Sequence, residues 1–555
     1  MELVTIGPET ADGPAEEVMV SSRDGIRLAT DIYLPPAARR HPTVLVRLPY
    51  DKRGRYTFMP QLAPWFTDRG YVFVVQDVRG KFRSEGNTVP YIAEAADGYD
   101  TLEWITQQPW SDGTVGMFGD SYYGVTQWAA VASGHPALRA IVPRVTSADL
   151  GATRIGTWWD EGVPPLYGAD YFAHYWAGQP IYEFEVDWSH RPLAEVFDEA
   201  FATIGARSAG FDMMLGRIPF DAYPKRHPFD TVTIPVLHCV GWFDNIMPNS
   251  MQDYVALQAR PRQAAWQYLA VDATDHENYQ LSDVPITPKN DHDTNDAALQ
   301  RMIPRYLGPA LEFYDIFLRG GDPSALPPVR WQQGHAGERT AREWPPADAR
   351  EMRLYLAAAG NAGSGPDGGA LTERPEPAPG QARWVHDPAD LVPSTVTDPF
   401  AFLREFPDER QVHKRDDVLT FTTEPVGTPL DLAGPLSATL SLHTTGPSMH
   451  VHLKLCDIAP DGSAHMLTRG QTLARNSDPG RAVTVALGHT GYRLQRGHRL
   501  RLQLASSDFP LYLWHPGTGE NPWTATKTQQ NEQTVHTGGG TASCLSLSVL
   551  GQLTE

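Results

Sequence analysis

The sequence predicts an α/β domain with a helical insertion, followed by an all-β domain. Three observations carry this. Short apolar runs alternate with helix-like stretches early in the chain, aromatic residues crowd a segment from 148 to 229, and strictly alternating segments between turn residues fill the region after 345. At 555 residues the chain is too long for one core; ~150 residues per domain makes roughly three or four domains the expectation.

Val18 to Ser21 and Arg27 to Leu34 flank Asp24-Gly25, a hairpin signal between alternating residues. Val44 to Leu48 and Tyr71 to Gln76 are short β-branched apolar runs of the kind buried in a parallel sheet. Ala96 to Gln107 has a helical pattern, and the next strand ends at Val115 to Phe118. Val125 to Ser133 reads as a helix that stops at Gly134-His135-Pro136, a C-terminal glycine with proline soon after. Strands alternating with helices argue for a parallel sheet covered on both faces. The aromatic segment, with Trp158, Trp159, Tyr167, Tyr171, Phe172, Tyr175, Trp176, Tyr182 and Trp188, contains a helix from Leu193 to Ile204 and reads as a helical cap. Most of its aromatics are expected in its own core and the remainder around an apolar or aromatic substrate.

The α/β pattern resumes at Ile234 to Gly241, with a helix from Asn249 to Arg260, a strand from Trp266 to Val271 and a helix from Pro309 to Leu318. Residues 358 to 382, rich in Gly, Ala and Pro, read as an exposed loop or linker. Met352 to Leu356 already looks like the first strand of the next domain, which sets the boundary near 345. The expected organisation is therefore 1–147 and 230–345 for the α/β domain, 148–229 for the cap, and 346–555 for the β domain. Met449 to Leu455 and Arg499 to Leu504 alternate strictly, the mark of strands with one buried face, and point to an antiparallel sandwich or jelly roll.

The formal charge of −20 argues against nucleic acid or an anionic membrane as partner, because neutralising phosphates needs clustered Lys and Arg. Cys239, Cys456 and Cys544 are scattered and odd in number, without C-x-x-C spacing, so neither a disulfide framework nor a zinc site is implied. The N-terminus lacks a basic and apolar leader pattern, and no stretch approaches ~20 apolar residues; a soluble cytoplasmic protein is expected. Asp291-His-Asp293-Thr-Asn295 begins like a calcium loop, but position 6 is Asp296 and position 12 is Met302, so it reads as a solvated loop. No metal and no cofactor are expected.

The chemistry centres on Gly119-Asp120-Ser121-Tyr122-Tyr123-Gly124, between a buried strand and a helix. A serine on a sharp strand-to-helix turn is held in the open near a helix N-terminus, which suits a nucleophile of the α/β-hydrolase type. One feature departs from the usual G-x-S-x-G: Tyr123 stands where the second glycine is expected, and Gly124 follows one residue later. A serine nucleophile needs a base, an acid to orient it, and donors for the oxyanion. Asp244, just beyond the strand ending at Gly241, and His276, just beyond the next strand, follow Ser121 in the order such enzymes use. Their loops would open on the same C-terminal edge of the sheet as Ser121. Asp272 and Asp275 lie close to His276 in sequence, Asp272 remaining an alternative to Asp244, and His238 falls inside a strand as a core histidine. The backbone N–H of Tyr122 is one oxyanion donor by the geometry of the turn; the hydroxyl of Tyr50, with a pKa near ~10, stays protonated and is a candidate for the second.

Arg47-Leu-Pro-Tyr-Asp-Lys52, Val74-Val-Gln-Asp-Val-Arg-Gly80 with Ser84-Glu-Gly86, Gly119 to Gly124 and Gly241-Trp-Phe-Asp244 occur in one order. Together they resemble the cocaine-esterase / X-Pro dipeptidyl-peptidase family of serine hydrolases. Val418 to Glu424, Gly434-Pro435 and Ser506 to Pro510 look like that family's C-terminal jelly-roll domain, so the likeness covers nearly the whole chain. It implies Ser121 as nucleophile, Asp244 and His276 as its partners, and Tyr50 with the Tyr122 backbone as the oxyanion hole. It also accounts for the displaced glycine, since the family's turn reads G-x-S-Y-x-G. Phe243 stands where members often carry Tyr, which affects outer hydrogen bonding and leaves the Asp intact. Asp77 and Asp97 are expected in structural roles.

The implied activity is hydrolysis of an ester, or an amide, of a small substrate with a bulky acyl group. An acyltransferase using an alcohol or amine acceptor and an X-Pro dipeptidyl-peptidase are the alternatives, ahead of a catalytically silent binding module. A peptidase of that kind requires carboxylates for a free amine, for which Asp160, Glu161, Asp170 and Glu183 are available. A homodimer is implied by the family alone.

Overall fold

The computed structural model describes residues 2–9, 15–151, 159–277, 296–358, 368–475 and 482–551. The chain forms two compact units: one of 1–155, 168–186 and 197–330, the other of 156–167, 187–196 and 331–555. Segments of the 148–229 stretch therefore contribute to both.

The first unit contains β1 (Val4–Ile6), β2 (Glu16–Ser21), β3 (Arg27–Tyr33), β4 (His41–Leu48), β5 (Val72–Asp77), β6 (Ser111–Asp120), β7 (Leu138–Arg144), β8 (Ile181–Glu183), β9 (Val236–Gly241) and β10 (Gln267–Asp272). Its main sheet runs β10-β9-β7-β6-β4-β5-β3-β2. The strands from β10 to β5 pair parallel, and β3 and β2 close the edge antiparallel, as the Asp24-Gly25 hairpin requires. β5 and β9 are buried along their whole length, as expected for strands covered on both faces. Among the described residues the small β1 pairs with β8 alone.

Helices α1 (Met59–Thr67), α2 (Glu94–Thr106), α3 (Ser121–Ser133), α4 (Leu166–Tyr175), α5 (Leu193–Ile204), α6 (Ala209–Met214), α7 (Pro228–Thr231), α8 (Met247–Gln258) and α9 (Asp296–Phe317) follow in chain order. α3 ends on Gly134 at φ 73°, the left-handed C-terminal residue foreseen from sequence. α9 differs from expectation: it begins at Asp296, not Pro309, and carries Pro304 and Pro309 inside. An interior proline costs about 3 kcal/mol, but Leu299, Met302, Ile303, Tyr306, Leu307, Ala310, Phe313 and Tyr314 form one buried stripe across both prolines and outweigh it. Among the described residues no helix is long and apolar enough to cross a membrane.

The second unit is strand-rich. It includes β13 (Ala349–Ala357), after β11 (Val329–Gln333) and β12 (Gly337–Ala341), then β14 (Gly369–Thr372), β15 (Gly380–His386), β16 (Leu419–Thr422), β17 (Leu430–Thr444), β18 (Ser448–Ile458), β19 (Ala464–Arg475), β20 (Ala482–Leu494), β21 (Arg499–Ala505), β22 (Asn531–Thr537) and β23 (Cys544–Leu550). Its core gathers Leu354, Leu356, Phe421, Leu440, Leu453, Leu502 and Leu545, among others.

Two expectations change here. The 358–382 stretch is not all linker: β14 pairs with β13 and β16, and β15 begins at Gly380 against β22, while 359–367 lie outside the described residues. A Cβ at Gly369 would lie 2.5 Å from the Phe421 ring, so a glycine that looks like a linker residue is what lets the strand approach. β18 and β21 bury both faces rather than one. The polar face of β18 (His450, His452 and Lys454) is covered within the same unit, where Lys454 Nζ reaches Glu409 at 3.1 Å and Asp508 at 3.2 Å. Trp158 and residues 291–295 of the calcium-like segment lie outside the described residues.

Candidate active site

β6 ends at Asp120 and α3 begins at Ser121, so the serine occupies the turn itself. Its φ of 50° is left-handed, a conformation that costs a non-glycine residue about 1–3 kcal/mol and that surrounding structure must enforce. Gly119 has φ 145°, and a Cβ there would sit 2.0 Å from the Tyr123 ring. The ring thus occupies space that only a glycine at 119 leaves open, which is how a tyrosine is accommodated at 123. The close approach that needs the second glycine falls one residue later: a Cβ at Gly124 would lie 2.2 Å from the Thr146 methyl group.

Tyr122 is anchored under the turn. Its hydroxyl accepts from the Tyr91 N–H at 2.7 Å and donates to Glu94 at 3.0 Å, and Glu94 is ion-paired with fully buried Arg47 at 2.9 Å. Tyr50 follows β4 at the same sheet edge. Its hydroxyl is 3.1 Å from that of Tyr171, and the Ser121 side chain and the Tyr122 backbone offset part of the effect of burial on it. The rings of Tyr56, Tyr123 and Tyr175 meet the Tyr50 ring edge-on at 5.9, 5.9 and 5.5 Å. Burial pushes the Tyr50 phenol up to about 12, so at neutral pH it is a donor.

The exits of β9 and β10 are stitched together. The Trp242 N–H donates to Asp272 O at 2.9 Å and the Phe243 N–H to Thr274 O at 3.0 Å. A Cβ on Gly241 would meet the Thr274 carbonyl at 2.5 Å, so the two loops can lie side by side only because residue 241 is glycine. They bring His276 Nδ1 to 2.9 Å from Asp244 Oδ1, both groups buried, and Asp244 also accepts the Ile246 N–H at 3.1 Å. Burial pulls the His276 pKa down, but the charge and hydrogen bond of Asp244, with Glu277 and Asp120 adding to them, outweigh it and the net shift is upward. Asp272, the rival to Asp244, is taken by Arg305 at 3.0 Å. His238 is a core residue, its Nε2 2.9 Å from Gln267 and its pKa pushed down by burial to about 4.

Asp97 and Asp77 hold loops. Asp97 binds Arg79 at 2.6 Å and Ser22 at 3.0 Å, and Asp77 accepts the Lys52 N–H two residues after Tyr50. Of the carboxylates considered for an amine, Asp160, Glu161 and Glu183 are exposed, and Asp170 lies 3.5 Å from His174. Glu277, next to His276, receives a 2.9 Å hydrogen bond from the Tyr56 hydroxyl. Tyr56 and Glu277 escaped the sequence reading; adjacency to His276 was the available signal for Glu277. Among the described residues no group of three or more His, Cys, Asp or Glu is placed to hold a metal ion.

The family description X-Pro dipeptidyl-peptidase (S15 family) matches residues 24–278, and X-Pro dipeptidyl-peptidase C-terminal non-catalytic domain matches 324–546. The cocaine esterase of Rhodococcus sp. (strain MB1 Bresler) is 32% identical over 548 residues, covering 91% of this chain and 92% of the relative. The chain belongs to the S15 family. It is accordingly a serine hydrolase. Among solved structures, an α-amino acid ester hydrolase matches with a TM-score of 0.78 at 27% identity over 98% of both chains. An aminopeptidase from a marine sediment Thaumarchaeota archaeon matches with a TM-score of 0.79 at 23% identity, also over 98% of both chains, and supports the fold.

Proposed function

We propose that this S15 hydrolase cleaves a carboxylic ester of a bulky, partly apolar acyl group through an acyl-enzyme on Ser121. What supports the reading is the left-handed turn at Ser121 and the Asp244–His276 pair on the same sheet edge, with Tyr50 placed so that the Ser121 side chain and the Tyr122 backbone both act on its hydroxyl. A substrate carbonyl oxygen at that meeting point would face two donors, the Tyr50 O–H and the Tyr122 N–H, while its carbon faced Ser121.

In this mechanism Ser121 Oγ attacks the carbonyl carbon and its proton passes to Nε2 of His276. Asp244, on Nδ1, holds the tautomer in which Nε2 is unprotonated and stabilises the imidazolium. The tetrahedral oxyanion is held by Tyr50 and the Tyr122 N–H. The C–O bond to the leaving alcohol then breaks and the alcohol takes the proton from His276. Water repeats the sequence, releasing the acid and restoring Ser121. The rings of Tyr50, Tyr56, Tyr171 and Tyr175 give the surroundings an aromatic character suited to an aryl or other bulky acyl group.

The test is labelling with a serine-directed fluorophosphonate alongside hydrolysis of an activated aryl ester. The wild-type protein should label and turn over, and Ser121→Ala should do neither. Equal labelling of the variant would sink the assignment.

A further inference from the structure

Lys81 is a charged residue with no solvent exposure, in the loop after β5, and the chemistry above makes no use of it. Its Nζ donates to the carbonyls of Tyr175 at 2.6 Å, Gly178 at 2.9 Å and Pro180 at 3.2 Å. An ammonium has three N–H donors, so each finds an acceptor. Tyr175 is the last residue of α4, whose terminal carbonyls lack partners within the helix and attract a cation. The Phe82 and Trp176 rings lie 5.4 and 5.7 Å from the amine. Burial pushes the amine down to about 7, against the pull of Asp77.

What Lys81 holds is the helix that carries the contacts of Tyr50. Tyr171 and Tyr175 are one turn apart on α4, with rings stacked at 4.9 Å. Tyr171 hydrogen-bonds the Tyr50 hydroxyl at 3.1 Å, and Tyr175 packs edge-on to the Tyr50 ring at 5.5 Å. Two further bonds stitch the same segments: the Phe82 N–H to Gln179 O at 3.2 Å, and Gln179 Nε2 to Ser84 O at 3.1 Å.

We propose that Lys81 is a positioning residue for the oxyanion site: its buried ammonium ties off the C-terminal end of α4 and so holds Tyr171 and Tyr175 where they fix the Tyr50 hydroxyl. This rests on the reading of Tyr50 as an oxyanion donor. The test is a double-mutant cycle in the full-length chain on an activated aryl ester, with near-UV circular dichroism to establish folding. Tyr50→Phe should lower kcat about a hundredfold, in line with loss of one oxyanion donor. Lys81→Met should lower kcat about tenfold with KM little changed, and Lys81→Met/Tyr50→Phe should be no slower than Tyr50→Phe alone, because coupled residues are non-additive. A lysine that only supported the fold would give losses that multiply, and that outcome, or a Lys81→Met variant as fast as wild type, overturns the proposal. If Lys81→Met does not fold, Lys81→Gln, which keeps two donors, takes its place. A parallel cycle of Tyr171→Phe with Tyr50→Phe tests the same link without touching the lysine; multiplying losses there overturn it too. A Tyr50→Phe variant with wild-type kcat defeats the positioning role while leaving Ser121 chemistry intact. Turnover by Ser121→Ala would instead defeat the hydrolase reading itself.

Discussion

At the scale of single residues, the turn at Ser121 is held by what its neighbours lack. Gly119 lacks a side chain where the Tyr123 ring lies, Gly124 lacks one where Thr146 lies, and the half-buried Ser121 takes a left-handed φ on the turn between them. The electrostatics of His276 yield a prediction at this scale. To act as a base it must be neutral, and its pKa is raised above the usual 6.5, chiefly by Asp244 against the opposing pull of burial. Activity should therefore fall as the pH drops through that raised value, placing the acidic limb of kcat/KM above pH 6.5. Glu277 adds to the upward shift, so Glu277→Gln should move the limb to lower pH. A limb that stays in place in a pH–rate profile of the variant would remove Glu277 from the electrostatics of the base. Tyr50, Ser121, Asp244 and His276, the residues of the proposed mechanism, were legible because each follows a strand end at a recognisable spacing. Tyr56 and Glu277 were not, and Tyr171 and Tyr175 were visible only as members of the aromatic segment, because what qualifies all four is contact with Tyr50 or His276, and sequence spacing does not encode contact.

Among the elements, β18 shows how a pattern misleads. Strict alternation predicts one wet face, yet His450 and His452 are buried, alongside His386 and His515 from elsewhere in the same unit. The His515 ring accepts the Gly517 N–H on Nδ1 at 3.0 Å and pairs with Ser448 at 3.0 Å through Nε2, an arrangement that requires the neutral form. Burial pushes His452 down to about 4 and His515 to about 3, and lowers His386 and His450 as well. In the unfolded chain these rings protonate near pH 6.5, and in the folded one below it. Their contribution to stability is thus complete above pH 6.5 and is lost as the pH falls below it, by roughly 2 kcal/mol each for His452 and His515 at pH 5. The strand-rich unit should melt at a lower temperature at pH 5 than at pH 7, and His452→Gln should lessen the difference. Calorimetry that finds the same drop in both proteins would assign the acid sensitivity to other groups.

For the molecule as a whole, the net charge of −20 sets the long-range field. Where substrate capture limits kcat/KM, a cationic ester should be used faster at low ionic strength and lose that advantage as salt is added, while an anionic one of similar size should gain. Salt-independent kcat/KM for both would show that local contacts dominate. The sequence by itself determined the fold class, the chain order of Tyr50, Ser121, Asp244 and His276, and a close likeness to a serine hydrolase family. Periodicity, turn chemistry and motif spacing are local properties that survive in a one-dimensional string. The tertiary structure decided which carboxylate faces His276 Nδ1, how a tyrosine fits beside the nucleophile, why α9 runs through two prolines, and why both faces of β18 are covered. It also showed that the buried Lys81 grips the end of α4. Each of these depends on side chains far apart in sequence meeting at a few ångströms, and on burial that no single segment can supply for itself.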